Sequence, residues 1–158
     1  MEAKWKWLNA LLLAALALLA VVCYRSAMAD PAPELEGSVD VDFTKLNATM
    51  GAARMFELMS RPKAYEGKRI RLAGRFLTII DKDSGARRFA CLIADPGGCC
   101  VQGVVEFTLK ADPKKPPRWP DDYPSPDETF SVQGKVALVG DKRPAPILRD
   151  AEVAVAIR

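Results

Sequence analysis

Phe89 to Phe107 reads Phe-Ala-Cys-Leu-Ile-Ala-Asp-Pro-Gly-Gly-Cys-Cys-Val-Gln-Gly-Val-Val-Glu-Phe, two apolar runs of strand length joined by a glycine-rich turn. That pattern commits the region to a β-hairpin. It also gathers Cys91, Cys99 and Cys100 in one place, with Asp95 and Glu106 nearby, so chemistry in this region would use sulfur.

On either side, period-two alternation continues. Arg69 to Ile80 places Ile70, Leu72 and Phe76 against Arg69, Arg71 and Arg75, the pattern of a half-buried strand with a solvated outer arginine face. Gly74 inside it predicts a bend or bulge. Further strands are expected at Arg87 to Ile93, Val104 to Leu109, Glu128 to Val139 and Pro146 to Ile157. Between the third and fourth, Lys110 to Pro126 carries six prolines and reads as an extended excursion that Trp119 and Tyr123 anchor back. Ahead of the first strand, Leu46, Met50, Ala53, Met55, Phe56 and Met59 recur at helical spacing. A helix is predicted over Asn47 to Ser60, with Asn47 or Thr49 as its cap and Pro62 closing it. Met50, Met55 and Met59 are thioethers that a soft metal accepts, but their spacing is that of a buried face, and core packing is the expectation.

The first 29 residues form an address. Lys4 and Lys6 precede an uncharged run from Ala10 to Val22, and Ala27-Met28-Ala29 supplies small residues before a cut. This is the order of a signal peptide, and it predicts export. Cleavage after Ala29 is preferred to retention as an anchor, because the apolar run is slightly short of the about 20 residues a bilayer needs. Lipid attachment at Cys23 ranks last, since Val22 occupies a place that normally takes a small residue. Residues 30–42, with Pro31 and Pro33, are expected to be a flexible leader, and 43–158 the folded domain.

Charge and composition narrow the function. The chain carries 23 basic and 20 acidic residues, and losing Lys4, Lys6, Arg25 and Glu2 leaves 20 against 19. No basic excess remains to predict a nucleic-acid partner. With no histidine in the sequence, serine-histidine and cysteine-histidine nucleophile pairs cannot be built from this chain alone. A non-catalytic protein is the expectation.

Five strands with a long bent first member, a hairpin, an excursion and a closing strand predict a mainly β, five-stranded OB-like barrel with one preceding α-helix. Tyr65-Glu-Gly-Lys-Arg-Ile-Arg-Leu-Ala-Gly-Arg-Phe, the Cys-Cys-x-Gln-Gly-x-x-Glu-Phe core at Cys99 to Phe107, and Tyr123-Pro together resemble a family of uncharacterised bacterial exported proteins and lipoproteins built on such a barrel. The resemblance implies fold and export, and no activity. The expected function is therefore a binding or accessory module of the bacterial cell envelope, periplasmic or membrane-anchored facing the periplasm. Its partner would be an envelope protein or a small ligand, with no nucleic acid. Membrane contact would come only through an uncleaved N-terminal segment.

Without Cys23 three cysteines remain, an odd number in an oxidising compartment. One use is a disulfide from Cys91 to Cys99 or Cys100 across the hairpin, preferred to a strained bridge between the adjacent Cys99 and Cys100. The alternative function is a thiolate metal site for zinc or copper formed by Cys91, Cys99 and Cys100, completed by Asp95 or Glu106. A redox thiol ranks third, because no Cys-x-x-Cys motif is present. The role of Glu106 turns on register: with Val105 and Phe107 pointing inward, Glu106 points out; in the opposite register it is semi-buried and suited to a ligand.

Overall fold

Every segment that alternates in sequence forms a strand, and one strand too short to alternate joins them. The computed structural model describes residues 13–20, 33–95 and 100–155. Strand β1 (Val41–Asp42) leads through a 3-10 turn at Phe43–Lys45 to helix α1 (Ala48–Ser60) and a second 3-10 turn at Pro62–Tyr65. Then come β2 (Arg69–Ile80), β3 (Arg87–Ala94), β4 (Val101–Leu109), β5 (Thr129–Val139) and β6 (Ala145–Val155). The mixed sheet has six strands rather than the five expected, in the order β1-β2-β3-β4-β6-β5, and β2 also pairs with β5. β1 runs parallel to β2, and β4 runs parallel to β6; the other pairings are antiparallel.

The chain divides into two compact units, Met1–Pro31 and Ala32–Arg158. In the first, residues 13–20 are helical and exposed. The rest of the expected signal or anchor lies outside the described residues, including Cys23 and the Ala27–Ala29 cut site. Among the described residues, no helix is long and apolar enough to cross a membrane.

Besides β1, two long antiparallel partners share β2. Arg69 to Arg75 pair with β5, and Arg75 to Ile80 pair with β3. Gly74 sits at this exchange: a Cβ there would collide with the Leu92 carbonyl oxygen and stand 2.8 Å from the Cys91 Sγ. The bend expected at Gly74 is thus a place where two backbones approach too closely for any side chain.

Apolar side chains on the inner side form one core. Phe76 meets the rings of Phe89, Phe107, Trp119, Tyr123 and Phe130, with centroids 5.8 to 6.3 Å apart. Such pairs add about 0.5–1.5 kcal/mol each beyond the area they bury. Through Trp119 and Tyr123 the proline-rich excursion is held against the sheet, as its aromatics predict.

Asn47 caps α1, its Oδ1 accepting the Met50 N–H at 2.9 Å, an arrangement worth about 1 kcal/mol. The face the helix buries overlaps the expected one at Met55 but is turned away from the rest of it. Met55 and Leu58 are buried, but Met50, Phe56 and Met59 are 47%, 74% and 38% exposed. The helix rests on the sheet at Gly103, where a Cβ would lie 3.0 Å from the Met55 Sδ. A single layer beneath one helix covers a narrow stripe. The apolar residues flanking that stripe made a second, equally periodic face in the sequence.

Arg71 is a second departure. Expected on a solvated face, its side chain is 5% exposed. Its Nη1 donates to Asp42 Oδ2 at 2.9 Å, its Nη2 to the Gly37 carbonyl at 2.8 Å, and its Nε and Nη2 to Gln133 Oε1 at 3.1 and 2.8 Å. Gln133 in turn donates to the Glu36 carbonyl and to Glu152, each at 2.8 Å. Residues 36–42 thereby lie over the outer face of β2 and β5, a cover that strand periodicity alone does not reveal.

Two predictions follow from these contacts. Asp42→Ala leaves the Arg71 charge buried with neutral partners and is expected to cost about 3 kcal/mol or more. A lower urea midpoint at unchanged slope would show it, and an unchanged midpoint would mean that water screens the pair. Gly74→Ala meets backbone and is expected to cost roughly 3 kcal/mol, whereas Gly103→Ala meets a flexible methionine end and is expected to cost roughly 1 kcal/mol. The reverse order in thermal or urea unfolding would contradict the packing described.

Candidate functional site

The hairpin places Cys91 and Cys100 in different environments. Cys91 lies on β3 directly opposite Val105, inside the core and wholly buried, with a free thiol. Burial pushes that thiol up to about 12. At neutral pH it is protonated, so it packs as a small apolar group rather than serving as a thiolate.

Cys100 is exposed, at the turn end of β4. The turn is closed by the Asp95 N–H donating to the Cys100 carbonyl at 2.9 Å and the Cys100 N–H donating to Asp95 Oδ1 at 3.0 Å. Asp95 is therefore engaged in shaping the turn. Because Cys91 is level with Val105, Cys100 lies five residues farther along the strand. At about 3.3 Å per residue that is on the order of 15 Å, well beyond the ~7 Å that a disulfide spans between Cα atoms. The hairpin does not bring Cys91 and Cys100 together, and no disulfide forms among the described residues. Cys99 lies outside the described residues.

Glu106 resolves by register. Val105 and Phe107 are buried, so Glu106 projects outward, where its Oε1 accepts from Arg88 Nη1 at 2.7 Å. It faces the opposite side of the sheet from Cys91. Among the described residues no group of three cysteine, aspartate or glutamate side chains converges as a metal site would require.

A different constellation surrounds Glu106. Arg87, Arg88, Phe89, Glu106, Thr108, Tyr123, Val139, Ile147 and Arg149 line a groove of about 390 Å³. Parallel pairing of β4 with β6 creates it, by setting Glu106 opposite Ile147. Arg87 is held with its guanidinium 5.1 Å from the centre of the Trp119 ring, a cation–π contact that orients the charge. Burial and the neighbouring Asp122 charge raise the pKa of Tyr123, so its hydroxyl is neutral at physiological pH. The groove offers cations, one committed carboxylate and an apolar floor. That set has the chemistry to hold and orient a ligand that carries charge and apolar surface.

Sequence reasoning found Glu106 and missed the groove around it. Arg88 on β3 and Ile147 and Arg149 on β6 are each ordinary outward positions. The signal that joins them is the pairing of β4 with β6, which strand periodicity does not specify. Comparison with family models, with curated proteins and with solved structures finds no match to this chain.

Burial of Cys91 yields a pH prediction. Burial raises its folded pKa above the ordinary thiol value of 9.0, so the stabilisation from burying the neutral thiol is fully present below pH 9. It is lost as pH rises from about 9 toward 12. The stability gap between wild type and Cys91→Ala, from urea midpoints, should narrow over that window. A gap constant with pH would show that the thiol is not buried as described.

Proposed function

We propose that this chain is a non-catalytic binding or accessory module of the bacterial cell envelope, built on an OB-like barrel and exported by its first 29 residues. The barrel is supported by the circuit of strand pairings: β2 joins β3, β3 joins β4, β4 joins β6, β6 joins β5, and β5 returns to β2. The resemblance of the Cys-Cys-x-Gln-Gly-x-x-Glu-Phe core and its flanking segments supports the envelope assignment. The observation that carries the binding role is the groove on β3, β4 and β6. It is within the ~300–1,000 Å³ size range of small-ligand sites and combines a few charged groups with apolar walls.

The thiolate metal alternative draws less support, because Cys91 is a buried, protonated core residue facing away from Glu106. A metal site would then rest on Cys99 and Cys100 and need other ligands.

Fractionation and N-terminal sequencing test the address. Expressed in a bacterial host, the chain should reach the periplasm beginning at Asp30. Full-length protein confined to the cytoplasm would sink the envelope reading. Elemental analysis and thiol titration of the same material separate the two functions: no stoichiometric zinc or copper is expected, and bound metal released together with thiols on unfolding would favour the alternative.

A further inference from the structure

Lys135 on β5 stands directly opposite Arg149 on β6, and Arg69 on β2 stands directly opposite Lys135. Directly opposed residues project from the same side of a sheet, so these three cations form a row across three strands. Arg69 is compensated by Glu152 at 2.9 Å. Lys135 and Arg149 are exposed, and among the described residues neither has an acidic partner within ion-pair distance. Like charges directly opposite one another destabilise a sheet, yet the register sets these two side by side.

The row leads into the groove, because Arg149 lines both. Glu106 is the one acidic residue among those lining it, and it is already paired with Arg88. Next to Arg149 the groove wall is apolar, formed by Ile147 and Val139. Two uncompensated cations beside an apolar wall match an anion carried on a less polar body: guanidinium and ammonium groups pair strongly with phosphate and carboxylate oxygens.

We propose that the Arg149 end of this groove, with Lys135 directly opposite Arg149 on β5, binds an oxyanion, phosphate or carboxylate, borne by a small organic molecule whose body lies on Ile147 and Val139. The inference rests on the reading of the chain as a binding module and supplies the chemical class of its ligand. The same chemistry is offered by an acidic or phosphorylated sugar and by an anionic lipid headgroup.

Amide chemical shifts of the 15N-labelled full chain test it, with glucose 1-phosphate and glucuronate as sugar probes and short-chain phosphatidylglycerol below its micelle concentration as the lipid probe. Glucose and inorganic phosphate supply the body and the charge separately. At least one organic anion is expected to shift the amides of Lys135, Ile147 and Arg149 saturably, more weakly as salt rises. The arm that saturates at lower concentration identifies the source. Arg149→Gln together with Lys135→Gln should weaken that binding about tenfold or more, while Glu106→Gln, which removes the groove's negative charge, should tighten it. Folding of each variant is read from the same spectra. Glucose shifting these amides as strongly as its phosphate would overturn the anion site and leave the binding module standing. Inorganic phosphate binding as tightly as the organic anions would overturn the role of Ile147 and Val139. Shifts that localise elsewhere, that survive the double substitution unchanged, or that no probe produces would overturn the proposal as a whole.

Discussion

One strand shared by two long antiparallel partners organises this protein. β2 gives its first half to β5 and its second half to β3, with both meeting it at Arg75. This requires β3 to pass so close to β2 that the Leu92 carbonyl and the Cys91 sulfur occupy the space where a side chain at position 74 would be. Glycine is thus demanded by close approach, not by an unusual backbone angle. The same approach drives Cys91 into the core beside Phe76 and Val105, where the thiol's proton is retained because the charged form would have no solvent.

That constraint separates two roles the hairpin had seemed to combine. Its inner side is packing: Cys91, Val105 and Phe107 build the core, and the aromatic cluster on Phe76 extends from them to Trp119 and Tyr123. Its outer side carries the Glu106–Arg88 pair, with the small Ala90 buried opposite Glu106. The hairpin runs Cys91 and Cys100 to different levels of the sheet, so proximity in sequence between these two does not become proximity of sulfur atoms. Five residues along an extended strand already exceed the reach of a disulfide.

Much of this was legible before any coordinates. Helix α1 and the five long strands start and end within a few residues of the expected positions, because period-two and period-3.6 patterns, the Asn47 cap and the Pro62 stop report local physics directly. Glu106 was legible conditionally: its direction followed once Val105 and Phe107 were known to point inward. Arg71 was not, since alternation says which side of the sheet a residue faces but not what covers that side. The helix face was misjudged for a related reason. Met50, Phe56 and Met59 are as apolar as Met55 and Leu58, and only the position of Gly103 beneath the helix decides which stripe is buried. The groove required knowledge of the β4–β6 pairing, a contact between segments about 40 residues apart.

The arginines show how the outside of the sheet is divided. Arg71 and Arg149 are both outward strand positions, yet one is buried in a network of fixed acceptors and the other is exposed without an acid. The difference comes from residues 36–42, which run along β2 from Arg69 to Arg71 and whose backbone carbonyls and Asp42 side chain cover Arg71 and Gln133. A guanidinium under that cover must be matched by protein groups, because burying an unpaired charge costs several kcal/mol. Beyond that cover, Lys135 on β5 and Arg149 on β6 are exposed to solvent. With Asp42 and Gln133 committed to Arg71 and Glu152 to Arg69, Lys135 and Arg149 keep their charge without an ion-pair partner among the described residues, and Arg149 brings it to the groove.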